Sequence, residues 1–110
     1  MTAPPLRVEL RPSKWARGKP GGLLNDGGER RDAVGHLLRA VGVEVLPGVG
    51  IPTGAHCRAL AGVGLSRFAI ARLIAANDDP EVEFDYVRVQ RLNLVLSEAG
   101  ARVEFVLVRE

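Results

Sequence analysis

Strand-like segments lie near both ends of this chain, and the region between them has the apolar spacing of helices. Residues 6–10 alternate between apolar and polar side chains, which is the pattern of a strand with one buried face. Residues 102–109 are dense in β-branched and aromatic residues, which predicts a strand at the centre of a sheet rather than at its edge. The pattern predicts an α+β fold, in which a small sheet that includes the N- and C-terminal strands packs against three to four helices.

Four helices are expected between the strands, because caps and helix-breaking residues divide this region. Asp32 can cap the first helix through its carboxylate, and Gly42 can adopt the left-handed conformation that follows a helix. Gly35 lies inside this helix, where glycine costs up to about 1 kcal/mol relative to alanine, and it therefore indicates close approach of another backbone segment. The expected helices span residues 32–41, 55–61, 66–76 and 84–99, and Thr53 and Ser66 are expected to cap the second and the third.

The remaining segments are rich in glycine, proline and asparagine, which favour turns. The run Asn25-Asp26-Gly27-Gly28 predicts a turn and, with it, a short hairpin around residues 23–31. Residues 43–45 are expected to form a short strand, and residues 47–54 an irregular loop.

Length and composition fit one domain, residues 1–110, in a reducing compartment. A chain of 110 residues with 46% hydrophobic and 25% charged residues can form its own core. The single cysteine, Cys57, excludes an intrachain disulfide. No apolar run approaches the roughly 20 residues that span a bilayer, and the N-terminus does not resemble a signal peptide. We therefore expect no membrane association and a cytoplasmic location.

Charge is distributed unevenly along the chain. The first 31 residues contain seven lysines and arginines against three acids, whereas residues 78–110 contain eight acids against four arginines. A basic N-terminal third can bind nucleic acid or a phosphorylated ligand. Alternatively, the basic and acidic thirds neutralise each other, because the strands at the two ends are expected to pair.

Motifs of common catalytic and cofactor sites are missing. The glycine loop at residues 48–54 lacks the lysine of a phosphate-binding P-loop and has the wrong spacing for a dinucleotide fingerprint. His56 and Cys57 are adjacent, so on a helix they point about 100° apart, which suits neither a metal site nor a catalytic pair. We expect no metal and no cofactor.

Residues 25–42, together with flanking positions, resemble an uncharacterised family of small bacterial and phage proteins with the pattern W…DG…CCLGxL…AxG…ND. The matching residues are Trp15, Asp26, Gly27, Gly35, Leu38, Gly42, Asn77 and Asp78. The cysteine pair of the family falls on Asp32 and Ala33, so thiol chemistry in its members would be absent from this chain. The resemblance implies a shared fold and a phage or mobile-element setting, and it brings no known activity.

The resemblance also implies that the Asn25-Asp26 turn and the Asn77-Asp78 helix end lie near Trp15. In one interpretation these side chains only satisfy turns and caps. In the other they form a polar pocket with neighbouring basic residues. The candidate ligand-binding residues are Trp15, Arg17, Asn25, Asp26, Arg30, Arg31, His36, Asn77 and Asp78.

These observations favour a non-enzymatic binding module, such as a phage or mobile-element accessory protein that binds a host protein or a small anionic, nucleotide-like ligand. One alternative is a nucleic-acid-binding protein that uses the arginine-rich N-terminal region. Another is a small hydrolase, for which His36 and Asp32 are the acid–base candidates. A homodimer could form by pairing of the valine-rich C-terminal strand across two copies.

Overall fold

The computed structural model describes residues 4–19 and 24–110, and it has the expected α+β fold. Four α-helices pack against a two-stranded sheet formed by the N- and C-terminal strands. The elements are β1 (Leu6–Leu10), a 3₁₀ turn (Pro12–Lys14), α1 (Ala33–Ala40), α2 (Gly54–Ala61), α3 (Arg67–Asp78), α4 (Asp85–Ala99) and β2 (Val103–Leu107). Within the described ranges, no helix is both long enough and apolar enough to cross a bilayer.

The two end strands pair in parallel, so the expected association of the chain ends is confirmed. Val8 lies opposite Phe105, and Leu10 lies opposite Leu107. Side chains from the sheet and from all four helices join one apolar core, in which Trp15 and Phe105 are the largest fully buried residues.

The expected central position of the last strand is wrong, because in the described residues β2 pairs only with β1. A side chain of α4 occupies the other edge. Asn93 donates its Nδ2–H to the Phe105 carbonyl over 2.9 Å and accepts from the Phe105 N–H over 2.8 Å. The apolar residues of β2 therefore reflect packing against α4 rather than a second neighbouring strand.

The caps inferred from the sequence are confirmed. Asp32 accepts from the Gly35 N–H over 2.7 Å, and Ser66 accepts from the Ala69 N–H over 3.1 Å. Thr53 and His56 form a reciprocal capping box at the start of α2. The third helix extends two residues beyond its expected end and includes Asn77 and Asp78.

The expected hairpin around residues 23–31 and the expected strand at 43–45 are both wrong for the described residues, 24–31 and 43–45; residue 23 lies outside them. The backbone of Leu24 and Asn25 pairs with the 45–49 loop, and the bond from the Asp26 N–H to the Arg30 carbonyl, over 3.2 Å, closes the turn without forming two strands. Leu24 N–H donates to the Val49 carbonyl over 3.1 Å, and Gly48 N–H donates to the Asn25 carbonyl over 2.9 Å. This pairing places the turn at 25–28 beside the 45–49 loop.

Gly35 lies where another backbone segment passes close to α1, as its position inside a helix indicated. A Cβ atom at this position would overlap the carbonyl oxygen of Leu24 and crowd the Arg31 side chain. Because the overlapping group is main chain, it cannot rotate away. The absence of a side chain at Gly35 therefore sets the distance between α1 and the segment that contains Leu24.

We predict that Gly35→Ala lowers the free energy of unfolding by about 3 kcal/mol, because the new methyl group forces two backbone segments apart. The matched control is Gly54→Ala, another glycine inside a helix, whose added Cβ would meet only the flexible end of Arg58 at 3.5 Å. Urea denaturation of both variants tests the prediction. Equal stabilities for the two variants would contradict it.

We predict that Asn93→Ala increases self-association, because it frees the N–H and C=O groups of Phe105 at the outer edge of β2. Gln90→Ala, an exposed change one turn earlier on α4, is the control. Light scattering after size-exclusion chromatography should show mass rising with concentration for the Asn93 variant alone. A concentration-independent mass for that variant would show that Asn93 does not protect the edge.

Candidate functional site

The Asn77 carboxamide connects three parts of the chain in the protein interior. Its Oδ1 accepts from the Trp15 indole N–H over 2.7 Å and from the Ala33 N–H over 3.0 Å. Its Nδ2 donates to the Ala16 carbonyl over 3.0 Å and to Asp78 Oδ1 over 2.9 Å. Asn77 and Trp15 are completely buried. These residues connect the end of α3 to the start of α1 and to the N-terminal segment, so they position structure and do not face a ligand.

Two contacts join the basic N-terminal third to the acidic C-terminal third. Arg17 forms a two-pronged ion pair with Asp85, with N–O distances of 2.7 and 2.8 Å, and its guanidinium stacks 5.0 Å from the Trp15 ring. Ser13 donates its N–H and Oγ–H to Glu110, each over 2.6 Å. Arg17 therefore already has a carboxylate partner and is a poor candidate for binding an added anion.

The carboxyl group of Asp32 is buried with one oxygen unsatisfied. Oδ1 caps α1, whereas Oδ2 has no hydrogen-bond partner among the described residues. Burial raises the pKa of Asp32 to about 7; hydrogen bonds from Gly35 and Val34 oppose this rise, and the negative charge of Asp78 adds to it. The carboxyl therefore exchanges its proton near neutral pH, and no solvent-borne molecule can reach it.

The Asn25-Asp26 turn serves a different part of the structure. Asn25 donates its Nδ2–H to the Val45 carbonyl over 2.9 Å and accepts from the Gly27 N–H over 2.9 Å. Asp26 is exposed and accepts from the Gly28 N–H over 2.8 Å. The described hydrogen bonds of these two side chains thus stabilise the turn and the 45–49 loop, whereas those of Asn77 reach the segment around Trp15.

Two concave surfaces adjoin on the side of the molecule formed by α1. The first, here named the loop depression, has a volume of about 420 Å³ and is lined by Asn25, Arg31, Arg39, Gly42, Val43, Glu44, Val45 and Pro47. The second, the strand depression, has a volume of about 360 Å³ and is lined by Glu9, Arg11, Lys14, His36 and Arg39. Arg39 lines both depressions, so the two adjoin at this residue; the cations that line them are here named the basic surface.

The pKa of His36 reflects the positive charge of this surface. Its Nε2–H donates to the Lys14 carbonyl over 2.8 Å, which leaves Nδ1 as the site that gains or loses a proton. Burial lowers the pKa of His36, the Lys14 hydrogen bond raises it, and the positive charges of Arg31 and Arg39 lower it further. Both arginines therefore lie close enough to repel a proton on the imidazole.

The cations of this surface differ in how far carboxylates neutralise them. Arg11 pairs with Glu9 over 3.3 Å. Arg11 and Lys14 also lie near Glu110, because their charges, together with the Ser13 hydrogen bonds, lower the pKa of that carboxyl. Among the residues that the structure describes, neither Arg31 nor Arg39 forms an ion pair. The unneutralised charge is therefore concentrated where the two depressions meet.

The residues singled out from the sequence fall into three groups. Asn25, Arg31 and His36 line the two depressions; Trp15, Arg17, Asn77 and Asp78 belong to the buried or ion-paired network; and Asp26 and Arg30 lie on the exposed turn. The sequence interpretation missed Arg39, Arg11 and Lys14. A signal for Arg39 was present, since it follows His36 by three residues on a helix and so shares its face.

The described residues contain no group of three or more histidines, cysteines or acids that could hold a metal ion. No family model, curated protein or solved structure matches the chain. The resemblance to the small bacterial and phage family therefore stays a prediction.

We predict that Asp32→Asn stabilises the protein above pH 7 and leaves it unchanged below pH 4. An acid whose pKa is raised on folding loses stability as pH rises, from its unfolded value near 3.8 to its folded value near 7. The full loss is about 4 kcal/mol, and asparagine avoids it while keeping an oxygen for the Gly35 cap.

Denaturation of wild type and variant between pH 4 and 8 tests this prediction. His36 contributes in the opposite sense, because a lowered histidine pKa removes stability as pH falls, so the difference between the two curves isolates Asp32. Asp26→Asn, which removes the same charge from the exposed turn, is the control, and the difference curve of the Asp32 variant should exceed that of this control. A difference curve for the Asp32 variant that is flat with pH would contradict the raised pKa of Asp32.

Proposed function

We propose that this protein is a non-enzymatic binding module whose ligand is a small anion, held where the loop and strand depressions meet. The observation that carries the proposal is the position of Arg31 and Arg39, which lie near His36 and have no ion-pair partner in the described residues. A guanidinium group matches the geometry of phosphate and carboxylate and binds either through two hydrogen bonds. A bound anion would also offset the repulsion between these cations.

His36 gives the proposed site a dependence on pH. An anion beside Arg39 would oppose the positive charges that lower the pKa of the imidazole, so binding would favour its protonated form. The protonated ring of His36, which lines the strand depression, would carry a second N–H donor at Nδ1. Binding of the anion and uptake of a proton would therefore assist each other.

The other hypotheses drawn from the sequence receive less support from the geometry. A hydrolase would use Asp32 and His36, but Asp32 is completely buried and cannot contact a substrate. Nucleic-acid binding has the basic surface in its favour, yet no phenylalanine, tyrosine or tryptophan is among the described residues that line the two depressions, and His36 is the single ring there on which a base could stack. Binding of a host protein remains part of the proposal only in so far as the partner presents an anionic group.

We predict that Arg39→Ala weakens binding of inorganic phosphate at least tenfold, because Arg39 lines both depressions. Arg67→Ala is the matched control, since Arg67 is exposed at the start of α3 and lies outside both depressions. Titration by NMR chemical shifts or by calorimetry at about 50 mM salt measures the dissociation constants. The proposal fails if wild type binds no phosphate, or if the two variants bind it equally.

A single-stranded oligonucleotide in the same titration distinguishes a small anion from a nucleic acid. Contacts to many phosphates would make the affinity fall steeply with salt, as counterions are released. Tight binding of the oligonucleotide without measurable binding of phosphate would favour the nucleic-acid alternative over the small ligand.

A further inference from the structure

The two depressions share one cation and differ in everything else that lines them. The loop depression adds Arg31 and an apolar wall of Val43, Val45 and Pro47. The strand depression adds the cations Arg11 and Lys14 and the imidazole of His36. Each depression thus has its own source of positive charge besides the shared arginine. In a single pocket all the cations would surround one point, whereas here they surround two neighbouring points.

Taken together, the two depressions carry more positive than negative charge. With the shared Arg39 counted once, their cations are Arg11, Lys14, Arg31 and Arg39, and their carboxylates are Glu9 and Glu44. Glu110 lies near Arg11 and Lys14 and offsets part of the excess in the strand depression. Among the described residues, Arg31 in the loop depression and Arg39 in both form no ion pair. Two anionic groups, one in each depression, would therefore both lie against an unpaired arginine.

Arg39 can serve both groups at once. Its guanidinium has five N–H donors in one plane, and no hydrogen bond of the described residues uses any of them. Donors on different edges of the plane can therefore bind two phosphoryl groups on opposite sides. A lysine in this position would act as a single point charge and would not bridge in this way.

From this placement we infer that the ligand carries two or more linked phosphoryl groups, which occupy the loop and strand depressions and are bridged by Arg39. This inference rests on the proposed function and specifies the class of ligand. Arg31 completes the subsite in the loop depression, and Lys14 with His36 completes the subsite in the strand depression. The apolar wall of Val43, Val45 and Pro47 would lie against an uncharged part of the ligand.

The test compares phosphate, pyrophosphate and tripolyphosphate at equal ionic strength by calorimetry. Tripolyphosphate is included because its terminal phosphoryl groups lie farther apart than those of pyrophosphate, so it can reach two subsites that are more widely separated. We expect at least one of the linked ligands to bind tenfold or more tightly than phosphate. The variant Arg31→Ala should weaken binding of phosphate and of the linked ligand, but that of the linked ligand about tenfold more, so that most of the gain is lost.

The matched control is Arg30→Ala, which removes the same charge from the neighbouring residue outside both depressions. It should preserve the gain, so that a loss in the Arg31 variant reflects position and not net charge. If linked ligands bind no more tightly than phosphate, or if both variants lose the gain equally, the inference is overturned and the proposed function stands. If none of the three ligands binds, both fail.

Discussion

The structure depends most directly on one buried carboxamide. Asn77 holds the Trp15 indole, the first N–H group of α1 and the backbone of Ala16, three groups that are distant from Asn77 in sequence. The Trp15 and Ala33 groups are buried, so each would cost about 1–3 kcal/mol if left without a partner, whereas the Ala16 carbonyl is partly buried. Replacement of the carboxamide by an apolar group would leave several of them unsatisfied together. The position of α1 relative to α3, and with it the basic surface on α1, follows from this arrangement.

Arg88, a buried arginine on α4, also binds the end of α3. Arg88, only 4% exposed, donates to the carbonyls of Ala76, Asn77, Asp79 and Val82. These carbonyls belong to the end of α3 and to the turn that follows it, where a helix leaves its last acceptors without partners. The Arg88 side chain thus satisfies the last carbonyls of α3, as a C-terminal cap does in other helices. With Asn77, it makes the junction between α3, α4 and the N-terminal segment rigid.

Sequence reasoning recovered features that depend on neighbouring residues. The caps at Asp32, Thr53 and Ser66 were predicted because each is decided within one helical turn. The close approach at Gly35 was also inferred, since a glycine inside a helix is costly without such a reason. Pairing of the end strands was anticipated from their composition, although its parallel direction was not.

What sequence reasoning missed depends on contacts between distant segments. The hairpin at 23–31 failed because the backbone near Leu24 bonds to Val49, a choice that local turn chemistry does not encode. The central position of β2 failed because Asn93, on a preceding helix, takes the place of a strand. The residues of the candidate site were also predicted only in part. Asn and Asp residues looked functional by type, but burial placed Asn77 and Asp78 in the interior, and α1 brought Arg39 beside Arg31.

The parallel pairing of β1 with β2 bears on the order in which the chain gains structure. Val8 and Phe105 are partners across nearly the whole chain, so closing this loop early would cost much entropy for few contacts. The contact between α3 and α4, joined by a short turn, closes at far smaller cost. If folding begins with this helical pair, β2 packs against α4 early, and β1 pairs with β2 late. A nascent chain would thus hold β1 unpaired until β2 has been synthesised.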